Sequence, residues 1–354
     1  MMRRPPFMSL TYSEIKQQYA ALQQTYDYML SKRSAISDFA RAQSATSIAF
    51  VGCGSSYTLS ESAAFSVRLR AGLSAIALAG GDLMLNPKRY RPLLENTLLV
   101  APSRSGSTSE VVEAVRLIQE DKHVPVLALS CVTDSPLSKK ADFALELPWA
   151  FDHSVCQTRT VTNLYVANLL IAAFLGNDEA LITDIGKAIS QGEAYMARVE
   201  QSIRETADFE WSHAVVLADG ELQGLAAEGA IALTEIAKVQ AHSHHLLDVR
   251  HGPMVTVGPD SLVIAVLTED GAGHQRKLMQ DIRGRGAKII AFGDRAAGVP
   301  VEDVDLAVVT DTELDIAAQG IPFIFIPQIV ALVSAARKGF NPDQPDGLTA
   351  WVKL

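Results

Sequence analysis

Short apolar runs alternate with helix-like stretches along this chain, and the whole alternation occurs twice. In the first half, 48–51, 75–78, 98–100, 126–129 and 143–147 read as strands, and helical patterns fill 60–70, 110–119 and 160–174. In the second half the strand-like runs are 214–217, 262–266, 289–292, 306–309 and 323–326, with a long helical stretch at 225–239. Strands separated by helices cannot pair as hairpins. They line up in parallel, and the crossing helices cover both sheet faces. The expected fold is α/β, with two doubly wound parallel-sheet domains. An amphipathic helical segment over 1–44 precedes them, with Ile15, Tyr19, Leu22, Tyr26 and Leu30 spaced by three and four. The expected boundaries are 45–195, 196–340 and a proline-punctuated tail at 341–354, with a helix-like junction near 176–210.

Composition narrows the function. A net charge of −9 speaks against nucleic acid or an anionic membrane as partner. Three scattered cysteines, Cys53, Cys131 and Cys156, are too few for a disulfide framework or a zinc site. No unbroken apolar run reaches about 18 residues and the first eight residues lack a signal-peptide core, so a cytoplasmic protein is expected.

Two Ser/Gly turns each follow a strand and open a helix: Cys-Gly-Ser-Ser-Tyr at 53–57 and Ser-Arg-Ser-Gly-Ser-Thr at 103–108. A helix start presents N–H groups and partial positive charge, so it accepts an anion. One hydroxyl suffices to cap a helix. Here Ser103, Ser105, Ser107 and Thr108 crowd within six residues, and Ser55 and Ser56 lie in the neighbouring turn with Gly54. That surplus points to a phosphate, with Arg104 able to add a charge-assisted bond. Neither turn has the spacing of a dinucleotide fingerprint or a P-loop.

Two further groups carry chemistry. Glu228 and Glu235 are 235 − 228 = 7 residues apart, so they share one side of a helix whose other residues are small or apolar. A partly desolvated carboxylate suits proton abstraction near neutral pH. Three of the eight histidines, His242, His244 and His245, fall within four residues, and His251 follows before Gly-Pro. Adjacent His244 and His245 would diverge on a helix, and no carboxylate or cysteine completes a familiar ligand spacing, so no metal is expected. His251 sits on a turn where its imidazole can meet a ligand and move a proton.

Together these residues resemble the family built from two tandem SIS (sugar isomerase) domains. The resemblance covers about 45–354 and also rests on Glu-Gly-Ala at 228–230, Arg-His-Gly-Pro at 250–253, Asn-Pro-Asp-Gln-Pro at 341–345 and the Glu235-to-His251 spacing of 251 − 235 = 16. It implies flavodoxin-like domains and a phosphosugar ligand. It implies phosphate-binding hydroxyls at Ser56, Ser103, Ser105 and Thr108, a general base at Glu235 and a second carboxylate at Glu228. It implies a ring-opening histidine at His251 that reaches in from a second subunit of a homodimer, and a sugar-lining loop containing Cys156 and Gln157. No cofactor is implied.

Two positions depart from the aminotransferase members of that family. Ala232 stands where they carry a lysine between the glutamates, and Ala350 where they carry an imine-forming lysine. A sugar that brings its own nitrogen would not need that imine, and the 44 residues ahead of the first domain are not expected to form an amidotransferase domain that supplies ammonia. The expected function is deglycation or deamination of a 6-phosphorylated fructosamine or amino sugar. Plain aldose–ketose isomerisation and a non-catalytic phosphosugar-binding regulator are the alternatives.

Overall fold

A computed structural model describes residues 6–121 and 124–354; the first five residues, part of the stretch read above for a signal peptide, lie outside them. The chain forms two compact units. The first holds 17–186 together with 349–354, and the second holds the residues up to Lys16 together with 187–348. The division falls inside one long helix, Glu179–Ala207, so the junction is helical.

The first unit contains β1 (Ser47–Gly52), β2 (Ser74–Ala79), β3 (Thr97–Ser103), β4 (Val126–Ser130) and β5 (Phe143–Glu146). They pair in parallel in the order β2-β1-β3-β4-β5. The second unit contains β6 (His213–Leu217), β7 (Gln240–His244), β8 (Ser261–Val266), β9 (Lys288–Gly293) and β10 (Leu306–Val309), in the order β10-β9-β8-β6-β7. Read from the other edge this is the same winding. Both units are therefore doubly wound α/β sheets, as expected.

Burial explains which strands the apolar pattern revealed. β3, β4, β6 and β8 are buried along their whole length, because helices cover both faces. The edge strands are mixed, and β7 (Gln-Ala-His-Ser-His) has no fully buried residue. Its histidine-rich sequence did not read as a strand. The repeat itself was the usable signal: in the first unit, too, the helix Ser55–Arg70 leads within a few residues into an edge strand, β2.

One expectation fails. The run 323–326 is not a strand; it belongs to the helices Gly320–Phe323 and Phe325–Lys338. Every residue from Phe325 to Ala335 is buried, so the segment is apolar all round and its period cannot separate strand from helix. Pro327 lies in the first turn, where an N–H is not required. Gly339 ends the helix in the left-handed region, its N–H bonding the carbonyls of Ala335 and Ala336.

Each sheet has its own core. Val51, Leu99, Ala101, Val115 and Val126 meet in the first, and Val215, Val263, Leu278, Ile282 and Ile289 in the second. Two helical segments, Arg159–Gly176 and Gly320–Lys338, have the length and hydropathy to cross a membrane, but 83% and 89% of them are buried within the protein. They serve as core helices.

The N-terminal segment divides at Gln17 into the helices Leu10–Lys16 and Gln18–Ala42. Within the second unit Asp343 caps the first of these. Its carboxylate accepts from the N–H groups of Leu10 (3.0 Å) and Thr11 (2.8 Å) and from the Thr11 hydroxyl (2.8 Å). The Asn-Pro-Asp-Gln-Pro motif thus does structural work at a helix end. Glu200 holds the same helix, accepting from Tyr12 (2.7 Å) and Lys16 (2.6 Å).

Candidate functional site

In the first unit the chain runs from β1 outward to β2, then returns to β3 on the other side of β1. The switch point lies between β1 and β3, and open α/β sheets take their ligands outside the carboxyl ends at that place. Both Ser/Gly turns stand there. β1 ends in Gly52-Cys53-Gly54 and opens the helix Ser55–Arg70. Gly54 adopts φ 54°, ψ −128°, a conformation that L side chains avoid, and lets the helix start directly behind the strand. Ser55 and Ser56 are buried in its first turn.

β3 ends at Ser103 and the helix Ser109–Asp121 begins six residues later. The turn between them is internally bonded. Ser103 Oγ accepts from Gly106 N–H (3.0 Å), and Ser105 Oγ accepts from Ser107 N–H (3.1 Å). The Thr108 carbonyl accepts from Val112 N–H, as an N-cap does. Ser103 and Ser105 are buried, and Ser107 and Thr108 are partly exposed at the rim. This is a rigid cup of hydroxyls and N–H groups at a helix start, suited to an oxyanion.

Arg104 departs from the role that the sequence suggests. Only 3% exposed, its guanidinium donates to the carbonyls of Ser154 (3.0 Å), Val155 (3.0 Å) and Ala350. The 152–160 loop that it grips is organised by Asp152, whose buried carboxylate accepts from Thr158 N–H (2.7 Å) and Thr160 N–H (2.8 Å). Burial pushes this carboxyl's pKa up against those bonds and against the charges of Arg159 and Arg104. Cys156 is buried on this loop. Gln157 carries a buried amide oxygen that has no hydrogen-bond partner among the described residues, so it is a ready acceptor for a ligand hydroxyl.

Cys53 lies beside the first turn. Burial raises its thiol pKa, and the Glu110 carboxylate adds to the effect; N–H groups of Gly81 and Gly80 pull the other way. The thiol form is therefore held.

In the second unit Glu228 and Glu235 lie on the helix Gln223–Ala237. Glu228 is 1% exposed and Glu235 partly exposed. The stretch from Glu235 to His251 comprises the end of that helix, strand β7 and a 3-10 turn, Leu247–His251. Asp219, in the loop after β6, fixes the entry to the turn by accepting from Leu246 N–H (3.0 Å) and bonding His245 Nδ1 (3.1 Å). Arg250 anchors its exit through two bonds to Asp281 (2.9 and 2.6 Å). His251 is exposed at its end. Asp152 and Asp219 were missed in the sequence because single aspartates carry no spacing signal.

On β7 the strand period puts His242 and His244 on one face with His213 of β6, with ring centroids 5.7 Å (213–242) and 6.4 Å (242–244) apart. Burial, then the neighbouring His242, lowers the pKa of His213 and His244. Among the described residues no group of three histidines, cysteines or carboxylates is arranged to hold a metal.

The family model for the SIS domain matches twice, at residues 42–173 and 209–337. Glutamine–fructose-6-phosphate aminotransferase (isomerizing) of Vibrio parahaemolyticus is 24% identical over 360 residues, covering 96% of this chain and 58% of that protein. The chain thus spans under two thirds of the length of this curated relative. Among solved structures, tagatose-6-phosphate ketose/aldose isomerase from Escherichia coli aligns with TM-score 0.83 at 21% identity, over 99% of this chain and 97% of that one. Glucosamine-6-phosphate deaminase from Thermotoga maritima aligns with TM-score 0.80 at 20% identity, over 98% and 100%.

Proposed function

The chain belongs to the SIS domain family, and on that premise we propose that it is a phosphosugar-processing enzyme that releases an amine from a 6-phosphorylated fructosamine or amino sugar. The observation that carries this reading is the hydroxyl-lined turn 103–108 at the first switch point, in a chain that also holds Glu235 and His251 at the family's spacing. In this reading Ser56, Ser103, Ser105 and Thr108 bind the phosphate, helped by main-chain N–H groups at Gly54 and Ser55. Cys156 and Gln157 belong to the loop that lines the sugar.

His251 gives a proton to the ring oxygen as its bond to the anomeric carbon breaks and the anomeric hydroxyl loses its own proton. From an open fructosamine phosphate, Glu235 removes a proton at C1 while the C2 carbonyl oxygen gains one, giving an enaminol, and then returns the proton at C2 as the nitrogen loses its N–H proton. The resulting C1 imine is hydrolysed by water to an aldose phosphate and free amine. From glucosamine 6-phosphate the proton moves from C2 to C1, and the C2 imine releases ammonia. Glu228, buried about two turns earlier on the same side of the same helix, is the second carboxylate. Ala232 and Ala350 support this substrate class, because no lysine stands at either place to form an imine with an unsubstituted ketose.

The exposure of His251 on its turn is consistent with service to a neighbouring subunit, so the proposal includes a homodimer, which light scattering tests. The cysteines Cys53, Cys131 and Cys156 form no disulfide, in keeping with a reducing, cytoplasmic setting. Phosphorylated fructosamines and amino sugars are incubated with the protein and products followed by NMR and amine release. Turnover is expected, and Glu235→Gln abolishes it while phosphosugar binding persists. Undiminished turnover in that variant refutes the mechanism. Isomerisation of fructose 6-phosphate without amine chemistry moves the assignment to a plain isomerase, and binding without any turnover moves it to a regulator.

A further inference from the structure

We propose that Arg104 is a positioning residue that latches the C-terminal tail and the 154–155 loop to the phosphate turn, and that the tail acts through its main chain. The inference rests on the reading of 103–108 as the phosphate turn. A guanidinium is a planar fork of five donors, and burying one is costly unless acceptors surround it. Here the acceptors are main-chain carbonyls from two separate segments: Ser154 and Val155 on one side, Ala350 on the other.

The tail continues along the start of the helix Ser109–Asp121. The Val352 carbonyl accepts from Ser109 N–H (3.3 Å), and Leu354 N–H donates to Ser109 Oγ (3.0 Å). The tail's hydrogen bonds at Ala350, Val352 and Leu354 are made by its backbone atoms. The last side chain looks outward: Leu354 is 81% exposed, against 45% for Val352 and 37% for Trp351, most of whose surface is covered. A tail held in this way tolerates changes of side chain and depends on its length and on Arg104. It also accounts for alanine at position 350, where the backbone carbonyl is the group in use.

The test compares Arg104→Lys, a chain shortened after Thr349, and Leu354→Ala with the parent protein. Hydrogen exchange of the 349–354 and 152–158 amides is measured without substrate. Inorganic phosphate binding, KM and kcat are measured separately. Lysine keeps the charge but cannot bridge the separate carbonyls. Arg104→Lys should therefore lose protection in both segments and raise KM by about ten- to a hundredfold, the loss of a charge-assisted bond, with kcat changed less. The shortened chain should show the same rise in KM with Arg104 in place, and Arg104→Lys should add little on top of it. Leu354→Ala, which keeps the bonded N–H, should match the parent.

Unchanged protection in Arg104→Lys, or fully additive effects of the lysine and the truncation, overturns the latch. Because exchange is read without ligand, it separates the two ideas. A parent protein that binds neither phosphate nor phosphosugar but shows the Arg104-dependent protection refutes the functional reading and leaves the latch standing.

Discussion

Replacing Gly106 by alanine should break the turn at its tightest point. Gly106 has φ +56°, and a Cβ built on it would lie 2.1 Å from Ser135 Oγ, 2.5 Å from Ser135 Cβ and 2.7 Å from Ser130 Oγ. Two costs follow. A non-glycine residue in the left-handed region costs about 1–2 kcal/mol. Forcing a methyl group into a filled space costs a further ~1–3 kcal/mol. Gly72 in the same unit has φ +65° and nothing within 4 Å of its would-be Cβ, so Gly72→Ala isolates the first cost. Gly106→Ala should then lose about 2–5 kcal/mol and Gly72→Ala about 1–2 kcal/mol.

The assay is thermal unfolding followed by circular dichroism. At about 2–4 °C per kcal/mol for a unit of this size, the two variants separate when scanned side by side. Adding Ser135→Gly to Gly106→Ala removes two of the three clashing atoms and should recover most of the packing cost. By itself Ser135→Gly only destabilises, since Ser135 Oγ accepts from Ser138 N–H at the start of the helix Pro136–Lys140. Phosphate affinity should fall in Gly106→Ala, because Gly106 N–H bonds Ser103 Oγ and its carbonyl accepts from Leu137 N–H. Equal losses in the two alanine variants, or additive effects of Gly106→Ala and Ser135→Gly, would refute the packing argument.

Asp343→Ala should cost about 1–2 kcal/mol, the worth of a helix cap, with the exchange increase centred on residues 10–16. Burial pushes the Glu200 carboxyl up, but bonds from Lys16 and Tyr12 and the charge of Arg204 outweigh it, so its folded pKa is lowered. Its contribution is therefore complete above about pH 4.3, the unfolded value, and is lost as pH falls through the lower folded one. Glu200→Gln should flatten that acid limb in pH-dependent melting, and an unchanged limb would contradict the assignment. At Cys53 the raised pKa predicts slow alkylation by iodoacetamide at pH 7 and a rate that climbs well into the alkaline range; a thiolate already formed at pH 7 would contradict it.

The two parallel sheets were legible because their central strands are covered on both faces and read as unbroken apolar runs, as in Leu98-Leu-Val100 or Val263-Ile-Ala265. The hydroxyl turns were legible because the residues that make them are contiguous. β7 was not, since an edge strand may be polar wherever its pairing with β6 is made by backbone atoms that carry no side-chain signature. The helix over 325–338 was hidden for the opposite reason: a segment apolar on every side has no face from which to read a period.

By itself, then, the sequence determined the winding and the place of the hydroxyl turn, and it singled out Glu235 and His251 as the carboxylate and imidazole of the proposed mechanism, all through local pattern and spacing. Tertiary structure alone decided where Arg104 points, what Asp343 caps and how the tail is held. Those outcomes depend on carbonyls and N–H groups brought together from segments up to 333 residues apart, and a backbone group looks the same at every position until the fold gives it a neighbour.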